Sequence, residues 1–132
     1  HLKGAFYVSQ PAFRVMKDKG YGRFIFTSSA AGILGNFGQT NYGAAKMGLV
    51  GLMHVLAVEG MKYNIKSNAI APTARTRMTE ELLGPLAPLL DPESVTPLVV
   101  YLASEKCEVN HEIYSCGGGR FARMFVGLTP GW

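Results

Sequence analysis

The chain has 132 residues, of which 48% are hydrophobic and 17% are charged. This size fits one ordinary domain, and the composition excludes a disordered polar segment, a collagen-like repeat and a coiled coil. The net charge of +4 comes from 13 basic and 9 acidic residues, but the basic residues never cluster, so we expect no nucleic-acid-binding surface. Two arginine pairs, Arg75 with Arg77 and Arg120 with Arg123, suit small anionic ligands better.

Two further features concern membranes and redox state. No uninterrupted run of about 18 apolar residues exists, so we expect no membrane-spanning helix. The first 20 residues also lack the charged end and apolar block of a secretory signal. Cys107 and Cys116 are the only cysteines, and we expect both to be free thiols. These observations favour a reducing compartment, either the cytoplasm or another such as the peroxisome or mitochondrial matrix.

Apolar spacing predicts the elements of the first half of the chain. Helical spacing predicts a helix over residues 1–18, and a short apolar, β-branched run predicts a buried strand at 23–28. A loop with three glycines follows at 29–38. Residues 41–61 predict a long helix that is apolar on nearly every side. Such a helix needs cover on two sides, and we expect a sheet on one and another subunit on the other.

The second half continues the alternation of strands and helices. Residues 64–72 predict a second buried strand, and 73–90 predict a partly helical flap rich in Thr, Pro and Leu. Residues 91–105 predict a helix, and 112–119 predict a third strand that ends in a glycine turn. Alternating strands and helices imply parallel strands joined by right-handed helical crossovers, which is an α/β fold.

Three side chains could carry chemistry at the carboxyl ends of these strands. Tyr42 and Lys46 are four residues apart, so they share one face of the predicted long helix. Ser29 ends the first strand, and ligands of open parallel sheets bind at that edge. An ammonium one helical turn away favours the ionised phenol, and a serine hydroxyl can hold a carbonyl oxygen against it. Together these groups would protonate an oxygen while a hydride reaches, or leaves, the carbon that carries it. That hydride must come from a cofactor, because no side chain can supply one.

Simpler interpretations of the same residues stay open at this point. A Tyr–Lys pair at this spacing arises readily by chance, so Tyr42 can be a surface aromatic and Lys46 a solvated cation. Ser29 can be an ordinary turn residue. His54 and His111 have no spacing typical of a metal site, and we interpret both as structural.

The order of these motifs resembles the short-chain dehydrogenase/reductase family. The matching elements are FTSSAAG at 26–32, Tyr42 thirteen residues after Ser29, Lys46, and NAIAP at 68–72. Longer segments are similar to the (3R)-hydroxyacyl-CoA dehydrogenases of that family: GNFGQTNYGAAK, KYNIKSNAIAP, RTRMTEE and LDPESVTPLVVYLASE. The resemblance runs from residue 1 to about residue 116.

The resemblance implies a Rossmann-like doubly wound parallel sheet and a role for each matched residue. Ser29 would position the substrate oxygen, and Tyr42 would be the acid/base. Lys46 would assist the phenol and hold the nicotinamide ribose. His1 takes the place of an asparagine in the family's NLxG segment, where it would relay protons.

The resemblance also implies ligands and partners. The cofactor would be NAD or NADP, with NAD favoured, and the substrate a 3-hydroxyacyl/3-oxoacyl thioester. Cofactor contacts would come from Tyr42, Lys46, Ile70, Pro72 and Thr76, and substrate contacts from Ser29, Met78 and Leu82. We expect a homodimer or homotetramer built on helices 1–18 and 41–61, and neither a nucleic acid, a membrane nor a metal as partner.

The first half of the family's pattern does not occur in this sequence, which has no TGxxxGxG loop and no NNAG segment. We therefore expect residues 1–132 to be the C-terminal part of one domain, with about three strands and without the nucleotide-binding half. Such a chain should aggregate or be inactive alone. Two alternatives are a non-catalytic module that serves oligomerisation and a reductase of a steroid or sugar ketone.

Overall fold

The computed structural model describes residues 1–131. Five α-helices and four strands occur in this range, and their bounds are α1 Leu2–Lys19, β1 Gly22–Thr27, α2 Ala30–Ile33, α3 Thr40–Gly60, β2 Ile65–Pro72, α4 Glu80–Leu83, α5 Thr96–Ala103, β3 Ile113–Gly117 and β4 Arg120–Met124. Three short 3₁₀ helices also lie in this range, at Met61–Tyr63, Gly84–Leu89 and Pro92–Val95. The predicted flap is therefore partly helical, and the predicted helix at 91–105 begins as a 3₁₀ turn.

The four strands form one sheet in the order β1-β2-β3-β4. β1 pairs with β2 in parallel, with Thr27 opposite Ile70, and β2 pairs with β3 in parallel, with Pro72 opposite Cys116. The predicted parallel α/β sheet is thereby confirmed. Because the strands are parallel, their carboxyl ends lie at one edge of the sheet, where Ser28, Thr73 and Gly118 follow them.

The fourth strand is a difference from the prediction of three. Gly118 and Gly119 have positive φ angles of 56° and 78°, as a tight two-residue hairpin turn requires. The predicted glycine turn is thus confirmed, and it returns the chain as β4, antiparallel to β3. β4 is short and partly exposed, with Arg120 and Arg123 among its five residues, so it lacks the apolar pattern that reveals a buried strand.

Helices cover both faces of the sheet. On one face α1 and α3 enclose a core in which Phe24 and Phe26 of β1 contact Met53 and Val50 of α3. On the other face α5 packs Leu98 and Leu102 against Ile70. Two-residue alternation along each strand supplies both cores from the same segments. The sheet is therefore covered on both sides, as in doubly wound α/β folds.

The predicted free thiols are confirmed, because Cys107 and Cys116 are both buried and unbonded to each other. They lie in the core under α5. Burial raises the pKa of the Cys116 thiol above its usual range, since a thiolate is poorly solvated there. Both cysteines therefore act as core residues.

The long helix bears on the expectation about membranes. Residues Thr40–Tyr63 are long and apolar enough, by length and composition only, to cross a membrane. The prediction of no membrane-spanning helix rests on uninterrupted apolar runs, and a match by length and composition alone does not test it. Core helices of α/β domains meet the same criterion, and here Leu49, Val50, Met53 and Leu56 of α3 are buried within the fold.

The two edges of the sheet have different chemistry. β4 carries Arg120 and Arg123 at one edge, and charged side chains protect an edge strand against further pairing. Among residues 1–131, no strand pairs with the outer edge of β1. That edge is flanked by the apolar residues Val8, Phe24 and Phe26. β1 is thus the edge suited to accept a further strand.

A pair of histidines joins α3 to the start of β3. The rings of His54 and His111 are 4.1 Å apart between centroids, and among residues 1–131 the buried His54 Nδ1 has no hydrogen-bond partner. Burial, together with the neighbouring His111, lowers the pKa of His54 below its usual range. The sequence predicts both histidines to be structural. It does not predict their contact, because 57 positions separate them in the chain.

The lowered pKa of His54 predicts a loss of stability in mild acid. The folded protein binds a proton at His54 more weakly than the unfolded chain does, so stability is complete above pH ~6.5 and falls below it. The melting temperature should fall between pH 7.5 and 5.5, and less so in His54→Leu than in the unchanged protein. His1→Gln, which removes an exposed histidine, is the control. An identical pH profile in His54→Leu would show that another group controls acid unfolding.

The core under α3 predicts a contrast between two methionines. Met53 is 0% exposed and Met78 is 87% exposed. Met53→Ala should lower the free energy of unfolding by about 2–5 kcal/mol, because it leaves a cavity. Met78→Ala should change it by less than about 0.5 kcal/mol. Denaturant unfolding followed by circular dichroism measures both, and equal effects would contradict this packing.

Candidate functional site

The end of β1 holds two serines with different roles. The Ser28 backbone N–H donates to the Ile70 carbonyl at 2.7 Å, which continues the β1–β2 pairing. The buried Ser28 hydroxyl donates to the Lys46 carbonyl at 2.8 Å. Ser29 caps α2, with its hydroxyl accepting from the Ala31 N–H at 3.2 Å. Ser28 therefore anchors α3 to the sheet, while Ser29 is partly exposed at the sheet edge.

Helix α2 packs closely against the first turns of α3. A Cβ atom at Gly32 would lie 2.8 Å from the Met47 backbone nitrogen, so only glycine permits this approach. A Cβ atom at Gly43 of α3 would likewise lie only 3.1 Å from the Ala31 carbonyl oxygen. The cap at Ser29 is thereby held beside the segment of α3 that carries Tyr42 and Lys46. α2 itself was not predicted, because four residues are too few for a periodic pattern.

Lys46 is buried in the fold although it is charged. Its side chain is 7% exposed, and its ammonium donates to the Thr27 carbonyl at 2.8 Å. The alternative in which Lys46 is a solvated cation is therefore wrong. An ammonium has three donors, and a partly desolvated charge interacts more strongly with its neighbours than one in water. Lys46 fixes a positive charge at the carboxyl end of β1.

Tyr42 lies next to this charge. The Lys46 ammonium is 5.6 Å from the centroid of the Tyr42 ring, and the tyrosine is partly exposed. The ring of His1 meets the Tyr42 ring edge to face, with 5.8 Å between centroids. The structure therefore brings His1, Tyr42 and Lys46 together, with Ser29 capping the helix packed against them.

A groove runs from this cluster along the outer edge of β1. Its volume is about 390 Å³, and its lining includes His1, Lys46 and Thr27 as well as the apolar side chains of Val8 and Leu49. The polar end of the groove thus reaches His1 and Lys46 of the candidate site, while Tyr42 and Ser29 lie outside its lining. Its apolar remainder follows the strand edge that no described residue pairs with.

The residues expected to contact a cofactor lie in three different environments. The Ile70 side chain is buried in the core under α5, and only its carbonyl contacts this end of the sheet, through Ser28. Pro72 ends β2 and is partly exposed. Thr76 belongs to a local turn, in which its hydroxyl lies 3.0 Å from that of Thr79. The structure therefore brings Pro72 to the sheet edge and holds the Ile70 and Thr76 side chains in packing and turn contacts.

The flap presents its apolar and basic side chains to solvent. Met78 and Leu82, expected to contact substrate, are both exposed, and Arg75 and Arg77 are exposed as well. The flap follows β2, the neighbour of β1, so it rises from the same sheet edge as Ser29. No described residue packs against the outer faces of Met78 and Leu82 closely enough to bury them.

Two contacts of the site carry no signal in the sequence. The Lys46 partner is a backbone carbonyl, that of Thr27, and any residue type would provide it. The Ser28–Lys46 bond likewise joins a common turn residue to a main-chain oxygen.

Among residues 1–131, no three His, Cys, Asp or Glu side chains lie close enough together to hold a metal ion.

Comparison with known proteins gives a consistent family. The model for the short chain dehydrogenase family matches residues 1–84. A putative short-chain type dehydrogenase/reductase of Mycobacterium tuberculosis is 50% identical over 125 residues, 94% of this chain and 44% of that protein. An acetoacetyl-CoA reductase of Acinetobacter is 38% identical over 133 aligned residues, 92% of this chain and 54% of that protein.

A solved structure shows the same arrangement of elements. Full-length peroxisomal multifunctional enzyme type 2 from Drosophila melanogaster superposes with a TM-score of 0.84 at 43% identity, over 96% of this chain and 23% of that one. The chain thus spans about half or less of the length of these relatives. The family match over most of the chain and the shared fold lead to one conclusion: this chain belongs to the short-chain dehydrogenase family.

Proposed function

We propose that this chain carries the acid/base centre of an NAD(P)-dependent oxidoreductase that interconverts a secondary alcohol and a ketone. The observation that carries the proposal is the Lys46 side chain, which is largely buried. Its partly buried ammonium is held by the Thr27 carbonyl at 2.8 Å and lies 5.6 Å from the centroid of the Tyr42 ring. Burying a cation costs free energy, so its place beside a phenol at the ligand-binding edge of a sheet favours a chemical role. Family membership supports the same reaction class.

The protons in this reaction move through Tyr42. In the reductive direction the Tyr42 hydroxyl gives its proton to the ketone oxygen, and in the oxidative direction the phenolate takes the proton of the alcohol. Ser29 donates a hydrogen bond to the same oxygen and keeps it against Tyr42. The fixed charge of Lys46 stabilises the phenolate. His1, in contact with the Tyr42 ring, relays the proton between Tyr42 and solvent.

The donor groups present fit a nicotinamide cofactor. Such a cofactor supplies or accepts the hydride when it is bound. The Thr27 carbonyl takes one of the three Lys46 donors, and the other two, together with Tyr42, would hold the hydroxyls of the nicotinamide ribose. The main chain around Ile70 and Pro72, and Thr76 beyond it, would contact the nicotinamide. NAD is the proposed form of the cofactor, in line with the family resemblance.

The substrate proposed is a 3-hydroxyacyl or 3-oxoacyl thioester. The acetoacetyl-CoA reductase relative is named for such a thioester. Exposed apolar side chains of the flap, Met78 and Leu82, suit contact with an acyl chain, and Arg75 and Arg77 suit an anionic carrier. A reductase of steroid or sugar ketones would use the same three residues. Rates on a 3-oxoacyl thioester and on a simple cyclic ketone distinguish the two.

We propose further that the active enzyme pairs a parallel strand with the outer edge of β1. The relatives are about twice as long as this chain or longer, and the groove along β1 has the apolar lining of a buried strand edge. The family's nucleotide-binding half would fill this position, so residues 1–132 form the C-terminal part of the catalytic domain. The experiments below use the full-length enzyme.

The outer faces of α1 and α3 are proposed to form the interface of a homodimer or homotetramer. Phe6 and Val15 of α1, with Val55 and Val58 of α3, are large apolar residues exposed on these helices. Arg14 and Glu59 border the shallow pocket between them and supply opposite charges for two-fold pairing. A peroxisomal location would fit the named relative, and both free thiols fit any reducing compartment.

Tyr42→Phe tests the acid/base assignment. Removal of the hydroxyl should lower turnover at least ~100-fold, because no proton reaches the ketone oxygen. Binding of reduced cofactor, followed by nicotinamide fluorescence, should change less than about twofold, since the ring and Lys46 remain. Tyr7→Phe removes a hydroxyl from an exposed tyrosine on α1 and should leave both quantities unchanged. A Tyr42→Phe enzyme that keeps most of its rate would overturn the assignment.

Val58→Glu tests the proposed subunit interface. A buried, unpaired carboxylate opposes association, so light scattering should show a smaller species at micromolar concentration. Val126→Glu places the same charge on another exposed valine, beyond β4, and should leave the mass unchanged. Equal masses for the unchanged enzyme and Val58→Glu would place the interface elsewhere.

A further inference from the structure

The loop between α2 and α3 exposes an aromatic ring, that of Phe37, shortly before Tyr42 in the chain. Phe37 is 101% exposed, and Leu34 at the start of the loop is 77% exposed. Single exposed apolar residues are common, but here two occur within four positions. The loop also joins the turn capped by Ser29 to the helix that begins with Tyr42 in its first turn.

The backbone of this loop presents Phe37 in a defined way. Gly35 and Gly38, on either side of Phe37, have positive φ angles of 83° and 75°, a backbone region that glycine adopts at little cost. Asn36 closes the loop, since its side chain donates to Gln39 Oε1 at 3.0 Å and its carbonyl accepts from the Gln39 N–H at 3.3 Å. Phe37 therefore lies in a turn closed by hydrogen bonds rather than in an extended stretch of loop.

A second apolar segment rises from the neighbouring strand. β1 and β2 pair in parallel up to Thr27 and Ile70, so the loop after β1 and the flap after β2 leave the same edge side by side. The flap exposes Met78 and Leu82 there. Exposed apolar groups on two segments that follow neighbouring strands at a ligand-binding edge suit a surface that a ligand covers when it binds.

We propose that Phe37 is a specificity-determining residue that binds the acyl chain of the substrate and selects for its length. The inference rests on the proposed function, because the thioester places its reacting carbon at Ser29 and Tyr42. The acyl chain then extends between the Phe37 loop and the flap. A short chain ends before it reaches Phe37, whereas a long chain covers the ring and removes its apolar surface from water.

The test is Phe37→Ala in the full-length enzyme, assayed on a four-carbon and a sixteen-carbon 3-oxoacyl thioester. Loss of the ring should lower kcat/KM for the long substrate at least ~10-fold, mainly through KM, because a buried aromatic contact is lost. The short substrate should change less than about twofold. Phe125→Ala, at an exposed phenylalanine beyond β4 (78% exposed), should leave both substrates unchanged.

The other outcomes overturn the inference in distinguishable ways. If the ratio of kcat/KM for the long substrate to kcat/KM for the short substrate is the same in Phe37→Ala as in the unchanged enzyme, the acyl chain lies elsewhere. The proposed function then still stands. Equal losses on both substrates with a lower melting temperature mean that another part of the protein covers Phe37. If the unchanged enzyme reduces neither thioester, the proposed function fails, and this inference fails with it.

Discussion

The candidate site depends on one buried charge. Lys46 lies within the fold with its ammonium on the Thr27 carbonyl, and its own backbone carbonyl accepts from Ser28. The two bonds tie one turn of α3 to the last residues of β1. They fix where Tyr42, one turn earlier, meets the carboxyl edge of the sheet. A cation in this position would be costly if it served packing alone, which is why it supports a chemical role for its neighbour.

The sheet explains why the other residues of the site come together. Parallel pairing of β1 with β2 puts the Ser29 turn and the flap at one edge, and α1 brings His1 back to the same edge beside Tyr42. These residues are distant in sequence, and the topology alone gathers them. The same topology leaves the outer edge of β1 without a partner among the described residues, which links the chemistry to the proposal of an additional half.

Much of this could be predicted from local patterns. The helices at 1–18 and 41–61 and the buried strands at 23–28 and 64–72 have strong periodicity or apolar runs, and the structure confirms them within one or two residues. β4 and α2 could not be predicted, because β4 is short and carries two arginines among its five residues, and α2 has only four residues. The Lys46 contact with Thr27 and the His54–His111 contact depend on tertiary structure, and no local pattern encodes them.

The central claim is that the Tyr42 hydroxyl and the Ser29 hydroxyl converge on one substrate oxygen. A crystal structure of the full-length enzyme with nicotinamide cofactor and a 3-hydroxyacyl or 3-oxoacyl thioester measures this most directly. The account predicts both hydroxyl oxygens within about 2.6–3.2 Å of the oxygen on the reacting carbon, with the Lys46 ammonium on the ribose. A thioester bound with that oxygen away from Tyr42, or a ribose held without Lys46, would contradict the account.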